Sequence, residues 1–556
     1  MKFLQQNSLT QTSMSQTDEN ISPALRHPYL TGNFAPIHQK TNLTPCTYSG
    51  CIPPELTGGQ TIFLVILSNL PGSQQAIKRI SVANTAVLYH DGRALATCES
   101  GPPMRIQLPS LDTVGWFDGV RAEGEAKTSS ANNSDSPFGG SGLFSFMKEW
   151  TTGHPKVDPI TGEMLLYHNT FMPPYVHYSV LPKSRKEVVE YDPTKPSRFG
   201  VFPRHQPSSV RWFHTAPCCI FHTANTWESQ SSKGGASVNL LACRMTSSTL
   251  VYTAGNIRPP VRFKSTRARD WSDDKKEKAC RYKEAPALES PGEAAGLTDY
   301  FPTAESDDYD QCRLYYYEFD MATKSQNEVK SQWALSAIPF EFPSVRPDRE
   351  MQEARYIYGC STSTSCFGVA LGRADKVDLL VKVDAKTLIQ RGKKINTTPV
   401  TGCVDRRSVS EILEEQKKDD PINIFRLPPN HYAQEPRFVP RDSSTAEDDG
   451  YLLFYVFDES QLLPSGDCPP SAISELWILD AKNMRDVVAK VKLPQRVPYG
   501  LHGTWFSRMD IKGQRAVESL RSLDEVQRKK EEWVNSGGQV RKAWMVLRGK
   551  LERAVG

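Results

Sequence analysis

The stretch VLYHDGRALATCES, residues 87–100, decides the class of fold. Asp91-Gly92 is a dipeptide that accepts positive φ at two consecutive positions, as the two-residue turns between antiparallel strands require. Val87-Leu88-Tyr89 before it and Ala94-Leu95-Ala96 after it therefore read as the two strands of a hairpin. The pattern recurs along the chain. RLYYYEFD (313–320), GYLLFYVFD (450–458) and SELWILDAKNM (474–484) are apolar, aromatic-rich runs bounded by turn signals. GEMLLYHNTF (162–171) follows the turn KVDPITG. With 40 Pro and 35 Gly to supply turns, the chain reads as all-β: a sandwich, barrel or propeller rather than a helical bundle.

Composition narrows the function classes. The 556 residues suffice to bury a sizeable core. Lys and Arg number 67 against 63 Asp and Glu, a formal charge of +4, so the chain lacks the basic excess of a nucleic-acid binder. The 12 cysteines form no C-x-x-C pair and no zinc spacing, and a bridge between adjacent Cys218 and Cys219 would be strained. Reduced thiols in a cytoplasmic protein are the expectation. The first 20 residues are polar, without the apolar segment of a secretory signal. The most apolar run, IFLVILSNL (62–70), is shorter than the roughly 20 residues of a bilayer span and reads as a buried strand, with a membrane-dipping patch as the other reading.

Residues 1–32 are rich in Ser, Thr, Gln and Asn and are expected to form a disordered leader. The β body is expected over 33–508. Within it, residues 120–142 read as a mobile loop and 259–310 as a charged surface insertion. Residues 509–556 form a basic tail. Ala516, Leu520, Leu523 and Val526 recur there at helical spacing, which predicts a C-terminal helix with a solvated charged face. Asp448-Asp449-Gly450 reads as a turn into a strand.

Three of the 11 histidines stand out. His154 lies at the entrance to a strand with Pro155 fixing the chain beyond it. His222 follows the apolar run CCIF. His502 sits in PYGLHGTWF, where flanking glycines let backbone pass close to something. Imidazoles from separate strands suit Fe, Cu, Zn or Ni. A zinc hydrolase, with three histidines and a water, is one such reading.

The segments HPKVDPITGE (154–163), FHTANTWE (221–228), PFEFPSVRP (339–347), EPRFVPRDSSTAEDDGYLL (435–453) and GLHGTWF (500–506) occur in an order that resembles the carotenoid cleavage oxygenase family. That family includes carotenoid and lignostilbene dioxygenases and the retinal-pigment-epithelium isomerase. IPPEL (52–56) and the residues around the first hairpin fit as well. The resemblance implies a seven-bladed β-propeller under a helical cap, with Fe(II) on its axis held by four histidines. It places His154, His222 and His502 among the iron ligands, and Glu99, Glu341 and Glu435 as the carboxylates that hold ligand N–H groups. It further implies that O2 and an apolar carotenoid, apocarotenoid or stilbene-like substrate meet there, that a C=C bond is cleaved to two carbonyls, and that an apolar patch makes peripheral contact with a membrane. Trp116-Phe117 and Met172-Pro173-Pro174-Tyr175 are candidates for the substrate tunnel or for core packing.

The chain departs from the family in two places. Family members carry a further histidine-bearing strand between VHYSV (176–180) and RFGVFPRH (198–205), but no histidine occurs between His177 and His205. After IPPELTGG the expected Arg-Asn-Gly-Pro turn and hairpin give way to TIFLVILSNLPGSQQAIKRI (61–80). These read as two internal deletions, either in the gene as translated or in a shortened paralogue, and they would leave the propeller incomplete. The alternative to a working dioxygenase is therefore a catalytically impaired or vestigial propeller lacking the second ligand histidine.

Overall fold

In the computed structural model, Asp91 and Gly92 adopt φ of 48° and 72°. The strands Ala86–His90 and Arg93–Thr97 pair antiparallel, with His90 opposite Arg93 across the two-residue turn. Both positive φ values make this the turn whose twist matches that of its strands. The structure describes residues 31–35, 37, 44–62, 85–98, 101–126, 151–157, 159–160, 164–166, 195–204, 206, 209–231, 235–246, 312–322, 329, 331–363, 376–395, 403–415, 417, 419–442, 444–500 and 502–520. Over these the chain is mostly strand with few helices.

The chain divides into two compact units, one of residues 1–55 and 185–499 and the other of residues 56–184 and 500–556. The larger unit holds three blade-like sheets. One orders Tyr48–Gly50, Val487–Lys492, Ser474–Asp480, Gly450–Asp458 and His431–Ala433, with Arg437–Pro440 also on Gly450–Asp458. A second orders Cys219–Ser231, Gly235–Met245, Cys312–Asp320, Ser331–Ser336 and Cys403–Asp405. A third orders Glu341–Ser344, Tyr356–Ser361, Leu379–Asp384 and Ile422–Arg426. The smaller unit contributes a fourth, Ala86–His90, Arg93–Thr97, Met104–Gln107 and Asp112–Trp116. Nearly all the pairings are antiparallel, and the sheets have the build of propeller blades. The strands expected at 313–320 and 450–458 are present, and that at 474–484 runs Ser474–Asp480; of 162–171, Met164–Leu165 is a strand and 162–163 and 167–171 lie outside the described residues.

Burial explains which strands sit at blade centres. Leu379–Asp384 is buried at every position, and Gly450–Asp458 at all but the last. A strand covered on both faces must be apolar throughout rather than alternating. Lys382 is the exception in Leu379–Asp384. Its ammonium donates to Asp448 Oδ2 at 2.7 Å and to the Lys482 carbonyl at 2.9 Å, and burial still draws its pKa below the ordinary lysine value. Asp448 thus does lie in a turn ahead of Gly450–Asp458.

Two local expectations differ from the structure. Residues 120–126 are fixed, although composition suggested a mobile loop. Glu125 accepts two hydrogen bonds from Arg93, at 2.6 and 2.9 Å, and lies 2.8 Å from Arg105 Nη1, with all three side chains buried. Three charges converging from 93, 105 and 125 leave no trace in local composition. The helix expected from Gln514 is likewise absent over 514–520; the helix is Arg508–Lys512, closed by a capping box between Ser507 and Asp510. Beyond it the backbone bonds the blade instead: Arg515 N–H to the Gly92 carbonyl at 2.8 Å, Glu518 N–H to the Gly124 carbonyl at 2.8 Å, and a bridge of Val517 to Glu125. These tertiary bonds override a weak helical period. Residues 1–30, 127–142, 259–310 and 521–556, on which the leader, the rest of the loop, the insertion and the rest of the tail were read, lie outside the described residues. No described helix is long and apolar enough to cross a membrane.

Candidate metal centre

In the larger unit, His222 lies on the strand Cys219–Ser231, whose pairing with Gly235–Met245 shifts register between Ile220 and Thr223 and again between Thr223 and Asn225. A bulge re-aims the side chains around it. Here His222 is buried at 8% exposure between the exposed Phe221 and Thr223. A second irregularity, between Glu341 and Ser344, lies on the strand that carries Glu341. Phe342 takes φ of 53°, the left-handed region that a phenylalanine rarely enters. A residue held there at a functional site is a sign that the surroundings impose the conformation.

The two bulges bring His222 Nδ1 to 2.6 Å from Glu341 Oε2. A carboxylate only accepts, so Nδ1 carries a proton, and in the neutral ring the other nitrogen then keeps its lone pair. Glu341 is wholly buried, and its Oε2 also accepts the Phe342 N–H at 2.7 Å. The Phe342 ring lies 5.5 Å from the imidazole and Phe221 5.4 Å from it, so the histidine is walled by aromatic carbon. Glu435, between His431–Ala433 and Arg437–Pro440, is also buried, with Arg437 at 3.9 Å. Neither Glu341 nor Glu435 is a surface acid.

In the smaller unit, His502 is buried just before the strand Gly503–Ser507, which pairs with Gly58–Ile62. His154 is half-buried, its backbone N–H donating to Thr152 Oγ1 at 3.1 Å. The segment before it is tied to the neighbouring blade by Thr97 Oγ1 donating to the Gly153 carbonyl at 2.6 Å. The His154 and His502 rings lie edge to face, 4.8 Å between centroids. Two imidazoles this close from residues so distant in sequence, and an imidazole with its Nδ1 proton held by a buried carboxylate, are the parts from which histidine metal centres are made.

Glu99, His177, His205 and Met172–Tyr175 lie outside the described residues. Phe117 is buried in the core with Arg93 over its ring at 5.1 Å. Asn225 and Glu228, which follow His222, separate in role. Asn225 donates to the carbonyls of Arg349 and Gln352 at 2.9 and 2.7 Å and accepts the Met351 N–H at 2.9 Å, clamping that loop, whereas Glu228 is exposed. Phe342 was missed by sequence reasoning; Pro343 after it favours extended backbone there, so nothing local signalled the positive φ.

The profile of the retinal pigment epithelial membrane protein family matches residues 59–189 and 181–507. The carotenoid dioxygenase carX of Gibberella fujikuroi is 70% identical over 696 aligned positions covering 100% of both chains. The carotenoid 9,10(9′,10′)-cleavage dioxygenase 1 of Arabidopsis thaliana is 26% identical over 82% of this chain and 70% of that protein. Among solved structures, the lignostilbene dioxygenase of Pseudomonas brassicacearum matches with a TM-score of 0.54 at 16% identity, over 87% of this chain and 99% of the other, a likeness of fold. The chain belongs to the retinal pigment epithelial membrane protein family, the carotenoid oxygenases. It is an enzyme of the dioxygenase type.

The same comparisons bear on the missing histidine. The profile match falls in two pieces whose ends meet at 181–189, inside the interval where that histidine was expected. The 696 positions aligned with carX exceed the chain's 556 residues, so at least 140 of them face a gap in this chain.

Proposed function

We propose that the chain is an Fe(II)-dependent dioxygenase that cleaves a C=C bond of an apolar polyene of the carotenoid class, on a seven-bladed propeller scaffold short of some of its strands. The observation that carries the reading is the His222–Glu341 pair, 2.6 Å apart and buried, in a chain 70% identical to a carotenoid dioxygenase. His154, His222 and His502 are the residues to which we assign the metal, on the motifs that carry them. Neutral imidazoles leave such an ion its full charge, which suits iron. Bound iron would supply O2 activation and the delivery of both oxygen atoms to the double bond, giving two carbonyl products.

The protein's own residues have narrower tasks. Glu341 keeps the proton on Nδ1 of His222 and raises the basicity of the nitrogen that faces the metal. Its negative charge, with that of Glu435, offsets part of the metal's charge in a buried setting. Phe221 and Phe342 flank His222 with apolar surface, which keeps water from the ring and suits a hydrocarbon substrate. Glu99 is assigned the same role toward another ligand.

A second reading is favoured by one observation, the break in the family match at 181–189. Three imidazoles in place of four would bind iron less tightly, and the chain would be an impaired propeller. Anaerobic Fe(II) loading of the purified protein, followed by O2 and a carotenoid, distinguishes the two. Near-stoichiometric iron and aldehyde products support the enzyme, and His222→Ala should then lower cleavage by more than about 100-fold, since it removes a ligand rather than a ligand's partner. Protein that retains no iron and yields no aldehyde establishes the impaired reading.

A further inference from the structure

The wall behind Glu341 is built of cysteines. Cys243, Cys312 and Cys360 are all buried, at 0%, 1% and 0% exposure. Cys360 lies opposite Glu341 across the pairing of Glu341–Ser344 with Tyr356–Ser361. Cys312 Sγ is 3.7 Å from Glu341 Oε1 and 3.4 Å from the Phe340 carbonyl. None of the five motifs that carry the family resemblance includes any of the three.

A carboxylate with no exposure must have its charge met by donors. Oε2 of Glu341 is met by the His222 imidazole and the Phe342 N–H. Oε1 faces Cys312. Of its two acceptors, Glu341 Oε1 and the Phe340 carbonyl, the anionic one attracts the thiol hydrogen more, because a charged acceptor makes a bond about twice as strong as a neutral one. Burial first, then the charge of Glu341, pushes the Cys243 thiol well above the ordinary cysteine value, so it stays protonated. Cys360 is held protonated in the same way, by burial and then by Glu435 and Glu341.

We propose that Cys312 is a positioning residue for the metal centre: its S–H fixes Oε1 of Glu341 and thereby sets how strongly Oε2 holds the His222 proton. The inference rests on the reading of His222 as a metal ligand. A thiol suits the position because it is a weak donor. A hydroxyl keeps a donor at Oε1 and so keeps the carboxylate in place. A methyl group would leave Oε1 buried without a donor and the carboxylate free to turn.

The test is anaerobic titration of the apoprotein with Fe(II), with thermal melting alongside, for Cys312→Ser, Cys312→Val, Cys312→Ala and His222→Ala. The expected result is Fe(II) affinity within about twofold of the parent for Cys312→Ser, and a loss on the order of tenfold for both Cys312→Val and Cys312→Ala, at the lower end of what outer partners of metal ligands contribute. Melting should rank them differently, because Val restores the apolar volume and Ser does not. Equal Fe(II) affinity for Ser and Val, or affinities that follow the melting order, overturns the role of the thiol; if Val fails to fold, the Ser–Ala comparison decides alone. A His222→Ala protein that binds Fe(II) as the parent does overturns instead the reading of the site.

Discussion

At the scale of the residue, the bond from His222 Nδ1 to Glu341 Oε2 is the contact on which the proposed metal centre turns. Glu341→Gln keeps an acceptor oxygen and the shape, and removes the charge. Fe(II) affinity should fall about 10- to 100-fold, with a melting temperature close to that of the parent apoprotein, measurable by anaerobic titration. His222 and Glu341 were both legible in sequence, because FHTANTWE and FEFP carry them as motifs. What aims them was not. The bulges at 220–225 and 341–344 arise from pairing with strands elsewhere in the chain, and the positive φ of Phe342 is a tertiary outcome. Glu228 sits near His222 in sequence, but on a strand its position in the alternation decides, and that places it outward.

At the scale of the element, the helix Ala385–Lys394 shows how close packing outweighs propensity. Asp384 caps it, its carboxylate accepting the Thr387 N–H at 2.9 Å. Gly392 lies in its last turn, where alanine would ordinarily gain about 1 kcal/mol. A Cβ there would stand 2.2 Å from Nε1 of Trp333, which is itself buried. Forcing apart a packed indole costs about 1–3 kcal/mol. Gly392→Ala should therefore destabilise the protein by about 1 kcal/mol, read by denaturant unfolding. Element types followed from sequence wherever alternation or turn chemistry was strong, as at Asp91-Gly92. They failed at 514–520, where the hydrophobic period was real but the backbone donors of Arg515 and Glu518 had partners on a blade.

At the scale of the whole molecule, stability against acid should depend on the buried cluster of Arg93, Arg105 and Glu125 in the smaller unit. Burial alone would raise the Glu125 carboxyl, but the hydrogen bonds from Arg93 and Ala122 and the two guanidinium charges bring it below the ordinary glutamate value. A depressed carboxyl stabilises the fold above its unfolded pKa and loses that contribution as pH falls through the folded value. Glu125→Gln, which leaves two buried guanidiniums short of a counter-charge, should cost about 3–5 kcal/mol at neutral pH. The gap from the parent should narrow below about pH 4, where the parent's own carboxylate begins to protonate, and melting curves across pH would show it. Each unit also joins early chain to late chain: Tyr48–Gly50 to Val487–Lys492 in one, Gly58–Ile62 to Gly503–Ser507 in the other. Asn33 and Val497, joined by a 3.0 Å hydrogen bond, are 464 positions apart. A ribosome adding about 5–20 residues per second needs on the order of half a minute to a minute and a half to cover that distance. Until then the nascent sheets keep open edges that invite pairing with other chains, so soluble yield should depend on chaperone supply and slow translation more than on the stability of the finished protein.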